Sequence, residues 1–501
     1  MTARLHLTRI RKASGAVLCK RISLGEDGKP VSDGSPCAMT RGTATRVILD
    51  EAAPAEALAG LIVDLDQSEA LVLGDHHGDG KEIEITKTSA ADTEQGRYGR
   101  NKKTFRFEPG RPAVMLLDHD RKGMPPDVAE RIEALGGFEG ALAHILPGLD
   151  GYAHVVRSST SAGIYHSDTR EKFSAGGGLH LYLFVRDGAD INRFLKGLQR
   201  RAWLAGLGWI MVAGRGALLV RSIVDVTVGS PERLVFEGPP LVLAPLAQDE
   251  EARRPIVHDG ELIDTRTACP DLTAEGAARY EALVAAAKVE AKPESEKAIE
   301  AAAVELAEKR SINIDKARNV VAASTRCELL SWDAVHFDDD ALGVVEVADI
   351  LADPERYHGE TLADPVEGRD YGRGKCKLYY NGGGDVSINS FAHGGAVYRL
   401  RHCPEYIAIK VEEAGEDAPY VLARMAAFAG GIDAVTRERL RNLAATVGKT
   451  GKRAVNEICK QAQARARKEE KEHRARGAPR DGGEPKEVRQ RLDLRGGERP
   501  A

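Results

Sequence analysis

Residues 113–120 read Ala113-Val114-Met115-Leu116-Leu117-Asp118-His119-Asp120. An apolar run leads into two aspartates, and Arg121-Lys122-Gly123 follows as turn material. That order predicts a buried strand. Side chains alternate along a strand, so Val114, Leu116, Asp118 and Asp120 share one face. Two carboxylates about 7 Å apart on one face repel each other unless a cation lies between them. Oxygen ligands of this kind suit a hard divalent ion, Mg²⁺ or Mn²⁺. Two solvated aspartates at a strand end would give the same short pattern, so the rest of the chain must decide.

Two further stretches bear on it. Gly178-Leu179-His180-Leu181-Tyr182-Leu183-Phe184-Val185 reads as a strand with His180, Tyr182 and Phe184 on one side. Leu219-Val220-Arg221-Ser222-Ile223-Val224-Asp225-Val226-Thr227 reads as another, on which Arg221, Ile223 and Asp225 share a face. A single ionisable group in such a strand is most simply a satisfied core residue, because an unpartnered one costs stability. Three strands that each deliver one read better as a site. Ahead of the His180 strand, Arg157-Ser158-Ser159-Thr160-Ser161-Ala162-Gly163 offers a guanidinium, hydroxyls and a loop glycine suited to phosphate oxygens, although a plain surface turn has the same composition. Ahead of the Asp118 strand, Arg97, Arg100, Lys102, Lys103 and Arg106 are interleaved with Tyr98, Phe105 and Phe107. Bases stacking on aromatics beside a basic groove would use such a segment, and so would an exposed basic loop. Ile191, Phe194, Leu195, Leu198, Ala202 and Ala205 recur at helical spacing behind Asp187 and Asp190, which predicts a scaffold helix with those aspartates as caps.

The chain has 501 residues, 42% apolar and 29% charged, with a net charge of −5. It is long enough for about three domains and too apolar to be wholly disordered. The balance excludes a general polycation, so any nucleic-acid binding must come from local patches. Seven cysteines, odd in number and never spaced Cys-x-x-Cys, argue against a disulfide framework or zinc ribbon and for a reducing cytoplasm. The longest apolar stretch, from Ala202 to Gly214, is too short to span a membrane, and Met1 to Lys12 lacks the apolar region of a secretory signal.

The organisation expected along the chain follows from composition shifts. Residues 1–45 form a basic segment packed on a mixed α/β (α+β) catalytic domain at 46–250. A helical linker region follows at 251–343, with a solvated Ala/Glu/Lys-rich helix from Ala286 to Arg310. A small α+β module covers 344–405, with a hairpin formed by Cys376 to Tyr380 and Val386 to Phe391 around a turn at Asn381 to Asp385. Residues 406–467 are helical, broken at Gly430 and Gly431, and 468–501 are a disordered charged tail. Cys376, His393, His402 and Cys403 fit no zinc spacing and read as structural. Gly448-Lys449-Thr450 lacks the earlier glycine and the preceding strand of a phosphate-binding loop, and reads as a turn between helices.

The order Asp118-x-Asp120, then x-His180 on a strand, then hydrophobic-Asp225 resembles the archaeo-eukaryotic primase superfamily, closest to the primase-polymerase branch of phages, plasmids and integrated elements. The resemblance covers about residues 45 to 245. It implies that Asp118, Asp120 and Asp225 hold two divalent ions, Mg²⁺ or Mn²⁺, and that His180 contacts the triphosphate of an incoming nucleotide. It further implies Arg157, Ser159, Ser161 and Arg221 as phosphate-side residues. The basic and aromatic interleaving makes Arg97, Arg100, Lys102, Lys103 and Arg106 the expected DNA contacts. Gly178 departs from the pattern, standing where the family often has serine. A further segment containing His166 and Lys172 separates the hydroxyl loop from the His180 strand.

The expected function is template-dependent nucleotidyl transfer on single-stranded DNA, with nucleoside triphosphates as substrates and a separate replicative helicase as partner. Two alternatives stay open. A metal-dependent nuclease could use the same carboxylates but has no need of His180 and the hydroxyl loop. A non-catalytic DNA-binding replication protein could keep the fold.

Overall fold

In the computed structural model, which describes residues 4–477 apart from 88–89, 174–176, 311–312, 367, 370–371, 391–395 and 430–431, the chain is a mixed α+β protein. The apolar run forms the strand Ala113–His119, and Val114, Met115, Leu116 and Leu117 are all buried. It pairs antiparallel with Leu179–Val185, which pairs with His154–Ser158, which pairs with Ile256–His258. Helices cover the sheet. Pro54–Val63 buries Ala55, Leu58 and Ile62, and Ile191–Leu204 buries Phe194, Leu195, Leu198 and Ala202. The spacing that predicts the second helix therefore marks its buried face. Its caps differ from expectation. Asp187 accepts the Ala189 N–H at 3.0 Å, whereas Asp190 turns to Arg193 at 2.6 Å and to the Thr265 hydroxyl at 2.5 Å.

The N-terminal segment is part of this unit. Leu5–Lys12 lies inside a six-stranded sheet between Glu69–Val72 and Arg41–Leu49, so the division at residue 45 falls within a strand. Leu5 and Leu7 are buried among the same core residues as Leu116 and Leu117. Residue 250 is not an edge either, because Ile256–His258 completes the Asp118 sheet and Ile263 is buried in its core.

The predicted strand from Leu219 to Thr227 is shorter than its sequence suggests. Leu218–Ser222 pairs with Gly208–Val212 as a hairpin and then stops. The Ser222 hydroxyl donates to the Val224 carbonyl at 2.9 Å, a local bond that turns the backbone out of the ladder. Asp225 then caps a 3-10 turn, Val226–Gly229, and accepts the Thr227 N–H at 2.8 Å. Arg221 and Asp225 thus stand on two elements.

The helix expected from Ala286 begins at Ala274 and runs to Arg310 with Pro293 inside it. It is less a linker than a buttress. Ser295 donates to the Gly216 carbonyl at 2.5 Å, and Tyr280 packs edge-on against Trp203. The second α+β unit starts before 344. Its five-stranded sheet runs Glu328–Leu330, Val397–Arg401, Val386–Ser390, Cys376–Tyr380, Thr361–Leu362, so the predicted hairpin lies at its centre. Helices Pro404–Glu413, Ala418–Ala426, Ala434–Val447 and Lys452–Gly477 close the chain around their own apolar core. The last helix carries order ten residues past Arg467, and Gly430, Gly431, His393 and residues 478–501 lie outside the described residues. Lys449 sits in the turn between the last two helices, as expected. No helix among the described residues is long and apolar enough to cross a membrane.

Candidate active site

Sheet register builds the site. Asp118 lies opposite His180 on one side of the central strand, and Arg157 lies opposite His180 on the other. Three residues distant in sequence therefore form one row across three strands. Tyr182 follows His180 on the same face, two residues further along. The row is completed from outside the sheet, because the Asp225 amide donates to the Asp118 carbonyl at 3.1 Å.

Beneath the row sits Glu237, 1% exposed, which sequence reasoning missed. Its carboxylate accepts from His180 Nδ1, from the Tyr182 hydroxyl at 2.5 Å and from Arg157 at 2.8 Å, with Arg253 at 3.6 Å. Burial alone would push this carboxyl up. The charge and hydrogen bond of His180, then Arg157 and Tyr182, outweigh burial and hold it down at about 2. His180 answers in the opposite direction. Burial disfavours the imidazolium, but Glu237 and then Asp118 raise its pKa above the ordinary histidine value. With Nδ1 taken by Glu237, Nε2 points toward Asp118 at 3.7 Å. A cue to Glu237 was present in Leu234-Val235-Phe236-Glu237-Gly238, an apolar run closing on an acid, the same signature that marks Asp118.

Asp118, Asp120, Asp225 and Arg221 line one cavity of about 160 Å³, with Ser222, Trp209 and Tyr280 among its walls. The strand ends at His119, so Asp120 reaches the cavity from the first residue of the turn, where it also accepts the Lys122 N–H at 2.9 Å. Asp225 is held by both its oxygens, through the Thr227 N–H and hydroxyl, each at 2.8 Å. Burial pushes its carboxyl up, but Arg233, the Thr227 bonds and Arg221 outweigh that and keep it below the ordinary range. An all-oxygen donor set of three carboxylates on one small cavity fits hard divalent cations. Their oxygens do not close to within 4.8 Å as a group. Among the described residues only Glu139, His154 and His258 do so. There the two imidazoles stack at 4.1 Å with a 5° interplanar angle, which keeps their in-plane lone pairs in parallel planes that do not converge.

The predicted phosphate-side residues divide. Ser159 lines a second, larger cavity of about 280 Å³ together with Asp118, His180 and Thr160. It also answers the departure at Gly178, since a Cβ there would stand 3.3 Å from the Ser159 Cβ and 3.4 Å from its hydroxyl oxygen. Ser161 is a partner of Ser159, oxygen to oxygen at 3.3 Å. Arg157 is turned away from both cavities. Its guanidinium donates to the Arg253 carbonyl at 2.7 Å and to Glu237, so it acts on the site through Glu237. Arg221 faces the carboxylates, not the larger cavity.

Cations not singled out in the sequence line that larger cavity instead. They are Lys20, Arg233, Arg373, Lys375 and Lys377, the last three from the second α+β unit. The Arg97–Arg106 segment meets the site at Asn101 and, of its cations, at Arg100, which lines the cavity and donates to the Glu232 carbonyl at 2.8 Å. Lys102, Lys103 and Arg106 are exposed, and Arg97 lies 3.5 Å from Asp92. The aromatics between them are not stacking platforms. Phe105 is fully buried, and Tyr98 and Phe107 pack against the cores.

No family model, curated protein or solved structure matches the chain.

Proposed function

We propose that this chain is a template-dependent nucleotidyltransferase of the primase-polymerase kind, extending or starting primers on single-stranded DNA. The observation that carries the reading is the row Asp118, His180, Arg157 across three paired strands, with Asp225 bonded to the Asp118 backbone. It brings a carboxylate cluster beside a histidine whose orientation is fixed by a buried acid. The reaction forms a bond from a 3′-oxygen to the α-phosphorus and breaks that phosphorus from the bridging oxygen, releasing pyrophosphate. Divalent ions held by Asp118, Asp120 and Asp225 would supply charge neutralisation at the phosphates and a lowered 3′-hydroxyl pKa.

The chain's own residues do the rest. Glu237 holds His180 by Nδ1, which leaves Nε2 to meet a phosphate oxygen in the larger cavity. Asp225 is kept ionised by Arg233 and Thr227, so its oxygens stay available as ligands at neutral pH. Exposed Lys102, Lys103 and Arg106 suit template phosphates, with salt-sensitive and sequence-tolerant binding. Unwinding falls to a separate helicase.

Labelled nucleotide incorporation on primed and unprimed single-stranded DNA, with Mg²⁺ or Mn²⁺, tests the reading. Wild type is expected to give metal-dependent products, and Asp118→Asn is expected to lower them by at least about 10³-fold. Shortened DNA in place of extended products would make the chain a nuclease. Binding that ignores the metal and survives Asp118→Asn, with no product, would make it a scaffold.

A further inference from the structure

The larger cavity lies between the two α+β units. One wall carries Lys20, Ser159, His180 and Arg233, and the other carries Arg373, Lys375 and Lys377. Its volume of about 280 Å³ is near the lower end of small-molecule sites, which run from about 300 Å³ upward. The charge on its walls is lopsided. Among the described residues that line it, six basic side chains, Arg100 included, stand against three acids, Asp118, Glu232 and Asp338, and Arg373 also pairs with Asp340 at 2.9 Å. Of these acids, Asp338 is pushed up by burial and Asp118 belongs to the carboxylate cluster. Burial, then the charges of Arg233 and Lys20, drive the Lys375 ammonium down to about 8. Lys375 thus reaches across the boundary between units and suffers from cations on the far wall. Like charges gathered in a partly dry cleft raise the free energy of the empty protein, and a polyanion removes that cost.

We propose that this cavity is a polyphosphate subsite shared between the two units, in which Lys375 of the second unit joins Lys20 and Arg233 of the first around the triphosphate of a nucleotide. The proposal rests on the transferase reading for the identity of the ligand, and it extends that reading by giving the C-terminal unit a direct part in substrate binding. Asp118 lines both cavities, so a triphosphate gripped here ends beside the carboxylates. The Ser159 and Thr160 hydroxyls and His180 provide donors from the sheet side.

The test uses the full chain and reads binding apart from incorporation. Inorganic tripolyphosphate and ATP are titrated calorimetrically into wild type, Lys375→Gln, Lys375→Arg and Lys20→Gln, with thermal melting recorded for each. Both ligands are expected to bind wild type, and both Gln variants to weaken binding about tenfold while the unliganded protein melts at or above the wild-type temperature. Lys375→Arg, which keeps the charge, is expected to stay within about threefold of wild type. Should Lys375→Gln fail to fold, Lys20→Gln on the opposite wall carries the same expectation. Unchanged binding in the folded Gln variants, or no tripolyphosphate binding by wild type, overturns the proposal. Incorporation by variants with wild-type binding sinks the subsite alone and leaves the transferase reading standing. Charge-dependent binding with no incorporation on any template sustains the subsite and sinks the transferase reading.

Discussion

Glu237 is the residue on which the site's geometry turns. It gathers the half-buried His180 and the buried Tyr182, Arg157 and Arg253, and its charge offsets the cost of placing their polar groups there. Its folded pKa of about 2 lies below the ordinary glutamate value of 4.5. A depressed acid contributes stability that is present above its unfolded pKa and is lost as pH falls through the folded one. Glu237→Gln is therefore expected to lose on the order of 3 kcal/mol at pH 7. The gap to wild type should narrow between pH 4.5 and about 2. Melting temperature against pH measures this, and a gap that stays constant over that window would refute the assignment.

At the scale of elements, the carboxylates come from unlike places. Asp118 is the last residue but one of a strand, Asp120 opens a turn and Asp225 caps a 3-10 helix. The sheet that carries the first of them shares its core with Leu5 and Leu7 of the N-terminal strands, and within those strands Gly42 leaves no room for a side chain. A Cβ there would lie 2.1 Å from the Arg11 carbonyl oxygen of the neighbouring strand, which is backbone and cannot swing aside. Gly42→Ala is expected to cost about 2–3 kcal/mol, read from urea denaturation, and a neutral result would mean that these strands do not pair as described. The interleaving of Leu5, Leu7 and Ile10, all buried, with basic and polar residues was legible in Met1 to Lys12, although Ile10 faces the opposite core from Leu5 and Leu7. Their position inside a sheet was not, because pairing with Arg41–Leu49 and Glu69–Val72 is a long-range choice.

Across the whole molecule, the two α+β units are joined by apolar packing of Ala213, Ala217 and Leu219 against the second core and, among the described residues, by charged contacts. Lys87 meets Glu360 at 3.1 Å, and Arg215 meets the fully buried Asp333 at 2.5 Å. Burial raises the Asp333 pKa, and Arg215 opposes that rise. Removing the arginine strands a buried acid, so Arg215→Ala is expected to cost about 3–5 kcal/mol at pH 7. An acid with a raised folded pKa binds its proton more tightly when folded, so stability rises as pH falls. The cost of Arg215→Ala should accordingly shrink on acidification, and calorimetry at pH 7 and pH 5 would reveal a contrary trend. The same junction forms the cavity shared by Lys20, Arg233 and Lys375, so weakening it should also weaken tripolyphosphate binding.

What the sequence determined by itself is local. The apolar run ahead of Asp118, the His180 strand, the Ile191–Leu204 helix and the Cys376–Ser390 hairpin all follow from periodicity and turn chemistry within a short window. Candidate status for Asp118, Asp120, His180 and Asp225 followed too, since a charge at the end of an apolar run is visible without its partners. Tertiary structure alone decided the partners. Arg157 looked like a loop cation and became the counter-ion of an acid eighty residues away. Phe105 looked like a stacking surface and became core, because a fully apolar ring gains more from burial than from water. Lys375 sits far along the chain from Asp118, yet the charges of Asp118 and Asp225 act on it. Such pairings depend on sheet register and on how two units meet, and neither is written in the spacing of any one segment.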